Sequence, residues 1–172
     1  KLAGNEIISI KQLLEESDNL VLPESGGNLN VVYEDDLIVA FDKTAGMSVQ
    51  PLSCKETGTL MNLAVSVYPE CRNISETDSQ GKIRNTLMAG ALHRVDADTS
   101  GLVIVARSQE AFYFIRDQFS MQTVEKTYLA LVEGNFCEGG RIEGDLIHDP
   151  TVPFCRMVDL KNNRLHPSQV AR

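Results

Sequence analysis

The sequence predicts an α+β domain, a mixed and largely antiparallel sheet with flanking helices. Three observations carry that expectation. Short apolar segments read as strands, two stretches read as capped amphipathic helices, and the resulting order, β-β-α-β-α-β-β, includes hairpins among the strands.

In chain order, EIISI (6–10) reads as a short strand and KQLLEESDNL (11–20) as one or two helical turns. LPESGGNLN (22–30) reads as a linker from its Pro, Gly, Ser and Asn content. VVYE and LIVAFDK then form two strands around an Asp35-Asp36 turn. TAGMSVQPLSCKETG (44–58) is loop. Thr59 can cap a helix, since Leu60, Leu63, Ala64 and Val67 share one face of LMNLAVSVY. The polar stretch 69–86 is expected to be a mobile surface insertion. LVIVARS is a buried strand, and Ser108 caps a helix whose Phe112, Ile115 and Phe119 face the core. KTYLALVEG (126–134) reads as a strand ended by Gly134. GRIEGDLIHDP alternates again, and MVDL reads as a last short strand. No internal repeat is present.

With 172 residues the chain can bury one sizeable core. Its longest apolar runs, such as LVIVA, are far too short to cross a bilayer, so no membrane partner is expected. No secretory signal is visible in KLAGNEIISI. The initial residue is not Met, and the chain is expected to be a processed or trimmed piece of something longer. Cys54, Cys71, Cys137 and Cys155 form no C-x-x-C pair, and His93, His148 and His166 do not fall at metal-ligand spacings. No zinc site is expected, and unpaired thiols suit a reducing, cytoplasmic setting. The formal net charge is -8, concentrated at the start, where Lys1 and Lys11 are the only basic side chains before Lys43. The remainder is near balance. Such a chain is unsuited to a long, sequence-blind electrostatic grip on nucleic acid, but a local basic groove stays compatible with it.

The stretch LHRVDADTSGLVIVARS (92–108) places His93, Arg94, Asp96 and Asp98 directly before an apolar strand. An unpaired carboxylate costs several kcal/mol to desolvate or shifts its pKa, so the site is a neutralised structural pair or a piece of chemistry. Side chains two apart share a face of an extended segment, so Arg94 and Asp96 can point into one cleft. The guanidinium is then expected to hold Asp96 ionised, below the reference value of about 3.9, as nucleophilic carboxylate catalysis requires. Asp98, Thr99 and Ser100 are expected to bind the loop backbone, and Gly101 permits a φ that other residues resist. On charge spacing alone, a salt-bridged turn is the favoured explanation of the cluster.

HRVDADTSGLVIVARS resembles the signature H-R-L-D-x-x-T-S-G-L of the RluA-type pseudouridine synthases, with Val95 in place of Leu. VVYEDDLIVAFDKTAGMSVQP resembles the opening motif of that family. Lys43, Gly46 and Pro51 match it, while Thr44 stands for Pro and Gln50 for His. KTYLALVEG resembles the family's K-x-Y-x-A-x-V-x-G. The resemblance covers residues 31–134 in three ordered motifs.

It implies the pseudouridine synthase catalytic fold and isomerisation of uridine to pseudouridine in structured RNA, ribosomal or transfer, by a monomer without cofactor or metal. It assigns catalysis to Asp96, with Tyr128 against the uracil as candidate base for the C5 proton and Arg94 beside the flipped nucleotide. His93, Thr99, Lys43 and Lys126, which lie in the same motifs, are candidate substrate-binding residues. Residues 31–172 would be the catalytic domain. Residues 1–30 would be an N-terminal extension, the tail of a small RNA-binding domain followed by the linker. The family's later motif, T-G-R-x-H-Q-I-R, is not met before LHPSQVAR, so the chain is expected to end inside the catalytic domain.

The chemistry suits these assignments. Isomerisation breaks N1–C1′, turns the base and forms C5–C1′; a carboxylate can attack C1′, stabilise an oxocarbenium-like state or start elimination. C5 must then lose a proton to a nearby base. The uridine must leave its stack, at a cost of a few kcal/mol that a stacking ring and a gap-filling side chain offset. Two other functions fit the residues less closely. A silent RNA-binding or chaperoning relative would keep the motif for folding alone. A retaining glycosidase would need a second carboxylate, and none stands out; the chain also has no Trp for sugar stacking.

Overall fold

The computed structural model describes residues 20–134, residue 139 and the strand segments 146–148 and 157–159. The chain divides into two compact units, Lys1–Thr123 and Val124–Arg172.

The first unit is built on a three-stranded antiparallel sheet of β1 (Val31–Glu34), β2 (Ile38–Lys43) and β3 (Gly101–Ala106), in that order. The hairpin between β1 and β2 forms where the sequence placed it. Asp35 accepts the backbone N–H groups of Leu37 and Ile38 through Oδ1, both at 2.8 Å, and the Tyr33 hydroxyl donates to Oδ2. This is an Asx-type turn, in which a side chain takes backbone donors that the strands leave unpaired. β2 and β3 run in register from Ile38↔Ala106 to Lys43↔Gly101, which ties the two ends of the sheet across a long stretch of chain.

Helix α1 (Leu60–Val67) starts at Thr59 with a reciprocal cap. Thr59 Oγ1 accepts from Asn62 N–H, and Asn62 Oδ1 accepts from Thr59 N–H. Asn62 also donates to the carbonyls of Leu22 and Glu56, so one buried amide joins the helix, its leading loop and the segment at 22. That segment, read as a linker, lies against α1. Glu24 N–H donates to Asn62 O, and a Cβ at Gly27 would lie 2.4 Å from Leu63 Cδ2. Helix α2 (Gln109–Ser120) is capped by Ser108, whose side chain accepts from Ala111 N–H.

Alternation along the strands sends the sheet's two faces to two clusters. Val39, Phe41, Val103 and Val105 pack with Leu60, Met61, Ala64 and Val65 of α1. Ile104 and Ala106 pack with Ala111 and Phe112 of α2, with Ile115 and Phe119 partly buried beside them, as the helical spacing predicted. Among the described residues no helix is long and apolar enough to cross a membrane.

The polar stretch 69–86 is more ordered than its composition suggests. It opens with a 3-10 turn, Pro69–Asn73, and Thr77 bridges Ile83. Ser75 is buried, exchanging hydrogen bonds with Gln109, and the Tyr113 hydroxyl meets Thr77. Local polar side chains thus serve as partners for α2, where composition alone pointed to mobility.

In the second unit, β4 (Leu146–His148) and β5 (Met157–Asp159) pair antiparallel, within the two late segments read as strands. The stretch 126–134 is not a strand. A strand needs a ladder partner, and among the described residues none pairs with it; Leu129 and Leu131 are fully exposed. The strand and helix read in residues 6–19 lie outside the described residues.

Candidate active site

Ala91 bridges Val105 at the edge of β3, and the chain then leaves the sheet as the loop 93–100. Arg94, Val95, Asp96 and Ala97 of this loop form one wall of a cavity of about 420 Å³, within the roughly 300–1,000 Å³ usual for small-molecule sites. Ser48, Val49, Gln50 and Leu52 form the facing wall. That wall is held by α1, because Leu60 and Met61 donate their N–H groups to the carbonyls of Ser48 and Val49, each at 2.9 Å.

The two walls are stitched together beneath Asp96. Lys43 ends β2 on the same face as Val39 and Phe41 and is 1% exposed. Its Nζ donates to the carbonyls of Thr44 (2.9 Å), Met47 (2.7 Å) and Ala97 (3.0 Å). Gly46, at φ +87, turns its N–H to the same Ala97 oxygen at 2.8 Å. A second bond, from Thr99 N–H to Asp96 O, closes the turn after the carboxylate. Burial lowers the Lys43 pKa, while the charges of Asp98 and Asp96 oppose that shift. A buried ammonium persists only when its donors are used and countercharge is near, and both conditions hold here.

Arg94 and Asp96 both line the cavity and are exposed, so the sequence brought them to one cleft as expected. The direct ion pair expected between them is absent among the described residues; the buried cation acting on this loop is Lys43. Lys43 itself was expected to bind substrate. With all three N–H bonds on backbone oxygens, it has no donor to offer the cavity. Thr99 is half-buried in the loop. His93, partly buried, accepts a hydrogen bond from Ile104 N–H and stacks on Phe119. Tyr128 and Lys126 belong to the second unit, where both are exposed.

Two features escaped the sequence reading. Gln50 lines the cavity, and its Oε1 is buried without a hydrogen-bond partner among the described residues; the signal was its place in the opening motif, where His is usual. The burial of Lys43 was also readable, because the alternation of IVAFDK puts it on the inward face. Among the described residues, no group of three His, Cys, Asp or Glu side chains is placed to hold a metal ion.

Comparison with known proteins gives consistent matches. The family model described as RNA pseudouridylate synthase matches residues 37–171. The ribosomal large subunit pseudouridine synthase D of Xanthomonas campestris pv. campestris is 32% identical over 149 residues, covering 87% of this chain and 41% of that protein. Its namesake in Neisseria meningitidis serogroup B is 32% identical over 150 residues, covering 87% of this chain and 37% of that protein. The namesake in Pseudomonas aeruginosa is 34% identical over 118 residues, covering 69% and 33%. The chain thus spans about two fifths, or less, of the length of these relatives.

Proposed function

Because this chain belongs to the RNA pseudouridylate synthase family, we propose that it carries the catalytic carboxylate of an enzyme that isomerises uridine to pseudouridine in RNA of the large ribosomal subunit. The observation that carries this reading is Asp96 on the wall of an open cavity, on a loop tied at Ala97 by Lys43 and Gly46. The names of the relatives support ribosomal RNA as the substrate.

Asp96 attacks C1′ of a flipped uridine, or stabilises the cation or glycal formed there, while N1–C1′ breaks. The uracil, carrying the electron pair of that bond, then turns and C5 bonds to C1′ as the bond from Asp96 to C1′ breaks or, from the glycal, as the proton returns to C2′. Loss of the C5 proton and protonation of N1 complete the isomerisation, and Tyr128 is the candidate base or stacking ring. Arg94, exposed on the same wall as Asp96, supplies the cation beside the everted nucleotide. A preorganised loop serves this chemistry, since a carboxylate displaced by about 1 Å can cost on the order of 100-fold in rate.

Mapping pseudouridines in cellular RNA tests the reading. A strain lacking the gene should lose one or more sites in large-subunit RNA. The full-length gene should restore them, and its Asp96→Asn variant should not. Restoration by the variant, or an unchanged map in the deletion, would remove the proposal.

A further inference from the structure

The sequence motif made His93 a candidate for binding substrate but assigned it no step of the reaction. Around it, residues 90–92 begin to pair with the outer edge of β3. Ala106 N–H donates to Gly90 O at 2.8 Å, and Leu92 N–H donates to Ile104 O at 3.1 Å. In a continued antiparallel ladder, residue 92 would also accept the Ile104 N–H, because such pairs exchange both bonds. That N–H goes instead to Nε2 of His93, at 3.2 Å. The imidazole lies stacked on Phe119 of α2, with ring centroids 5.2 Å apart and planes at 29°.

We propose that His93 is a positioning residue, a neutral imidazole that stands in for a backbone carbonyl, ends the ladder at Leu92 and turns Arg94 and Asp96 out toward the cavity. A nitrogen that accepts carries no proton, so Nδ1 holds the ring's hydrogen. The stack fixes the ring plane and links the loop's departure point to α2. No main-chain acceptor could do this without prolonging the strand, and prolonging it would keep 94–96 at the sheet edge. The catalytic consequence rests on the reading of Asp96 given above; the structural role does not.

The test uses the full-length protein with three readouts: the His93 tautomer from nitrogen-15 chemical shifts, exchange of the Ile104 amide, and single-turnover pseudouridine formation beside RNA affinity. His93→Phe keeps the stack and removes the acceptor, whereas His93→Gln keeps an acceptor near the Nε2 position. The wild type should show the proton on Nδ1. His93→Phe should speed Ile104 exchange and slow turnover by about tenfold each, the equivalent of one hydrogen bond, with RNA affinity unchanged. His93→Gln should restore most of both. A proton on Nε2, unchanged Ile104 exchange in His93→Phe, or a Gln variant as slow as the Phe variant would each overturn the role. Should His93→Phe fail to fold, the tautomer and His93→Gln decide it. A wild type that forms no pseudouridine would sink the functional reading, while tautomer and exchange would still decide the positioning role.

Discussion

Lys43 Nζ lies 3.0 Å from the carbonyl oxygen of Ala97, joining the last residue of β2 to the residue that follows Asp96. The link spans 54 positions in sequence and ends within one residue of the candidate nucleophile. A cation on a long, flexible stem thereby becomes a rigid peg, because each of its donors is used.

Removing that peg should be costly. Lys43→Met keeps much of the volume and ends the desolvation cost of a buried charge, which favours the variant. It also leaves the Thr44 and Met47 carbonyls without this donor, while Ala97 keeps Gly46 N–H. Losing three charge-assisted bonds outweighs the gain, and a net loss of about 1–3 kcal/mol is expected in urea unfolding. An unchanged midpoint would contradict this account of Lys43.

Gln50 should behave in the opposite way. Its buried Oε1 has no partner among the described residues, so the native state carries the desolvation penalty of that oxygen. Gln50→Met, close in shape and free of that acceptor, is expected to raise stability by about 1 kcal/mol. Thermal and urea midpoints both report it, and a lower midpoint would count against it.

Cys71 gives a dependence on pH. It is fully buried in the main core, and burial pushes its thiol from the ordinary 9.0 up to about 12. A raised acid pKa contributes stability that is intact below the unfolded value and lost as pH climbs through the folded one. The stability difference between wild type and Cys71→Ala should therefore shrink between about pH 9 and 12. At neutral pH a thiol reagent should modify half-exposed Cys54 and spare Cys71, which peptide mass mapping can check.

Much of the fold was legible because local signals agreed with tertiary packing. Thr59 and Ser108 cap the helices predicted from them, and LVIVA forms the central contact of the sheet with IVAFDK. The stretch 126–134 misled because alternation describes a strand's faces and says nothing of its ladder partner. Arg94 and Asp96 were placed together by their period of two, yet the same rule, applied to Val39, Phe41 and Lys43, would have shown the lysine pointing inward. The bond from Ile104 to His93 was beyond sequence reasoning, since it depends on where one ring lies against another element.

The measurement that bears most directly on the central claim is tritium release from large-subunit RNA labelled at uridine C5, catalysed by the purified full-length protein. Wild type should release tritium in step with pseudouridine formation. Asp96→Asn and Asp96→Ala should release none above background while still binding the RNA. Release by both variants at rates near wild type would mean that the carboxylate on this loop is not the reacting group.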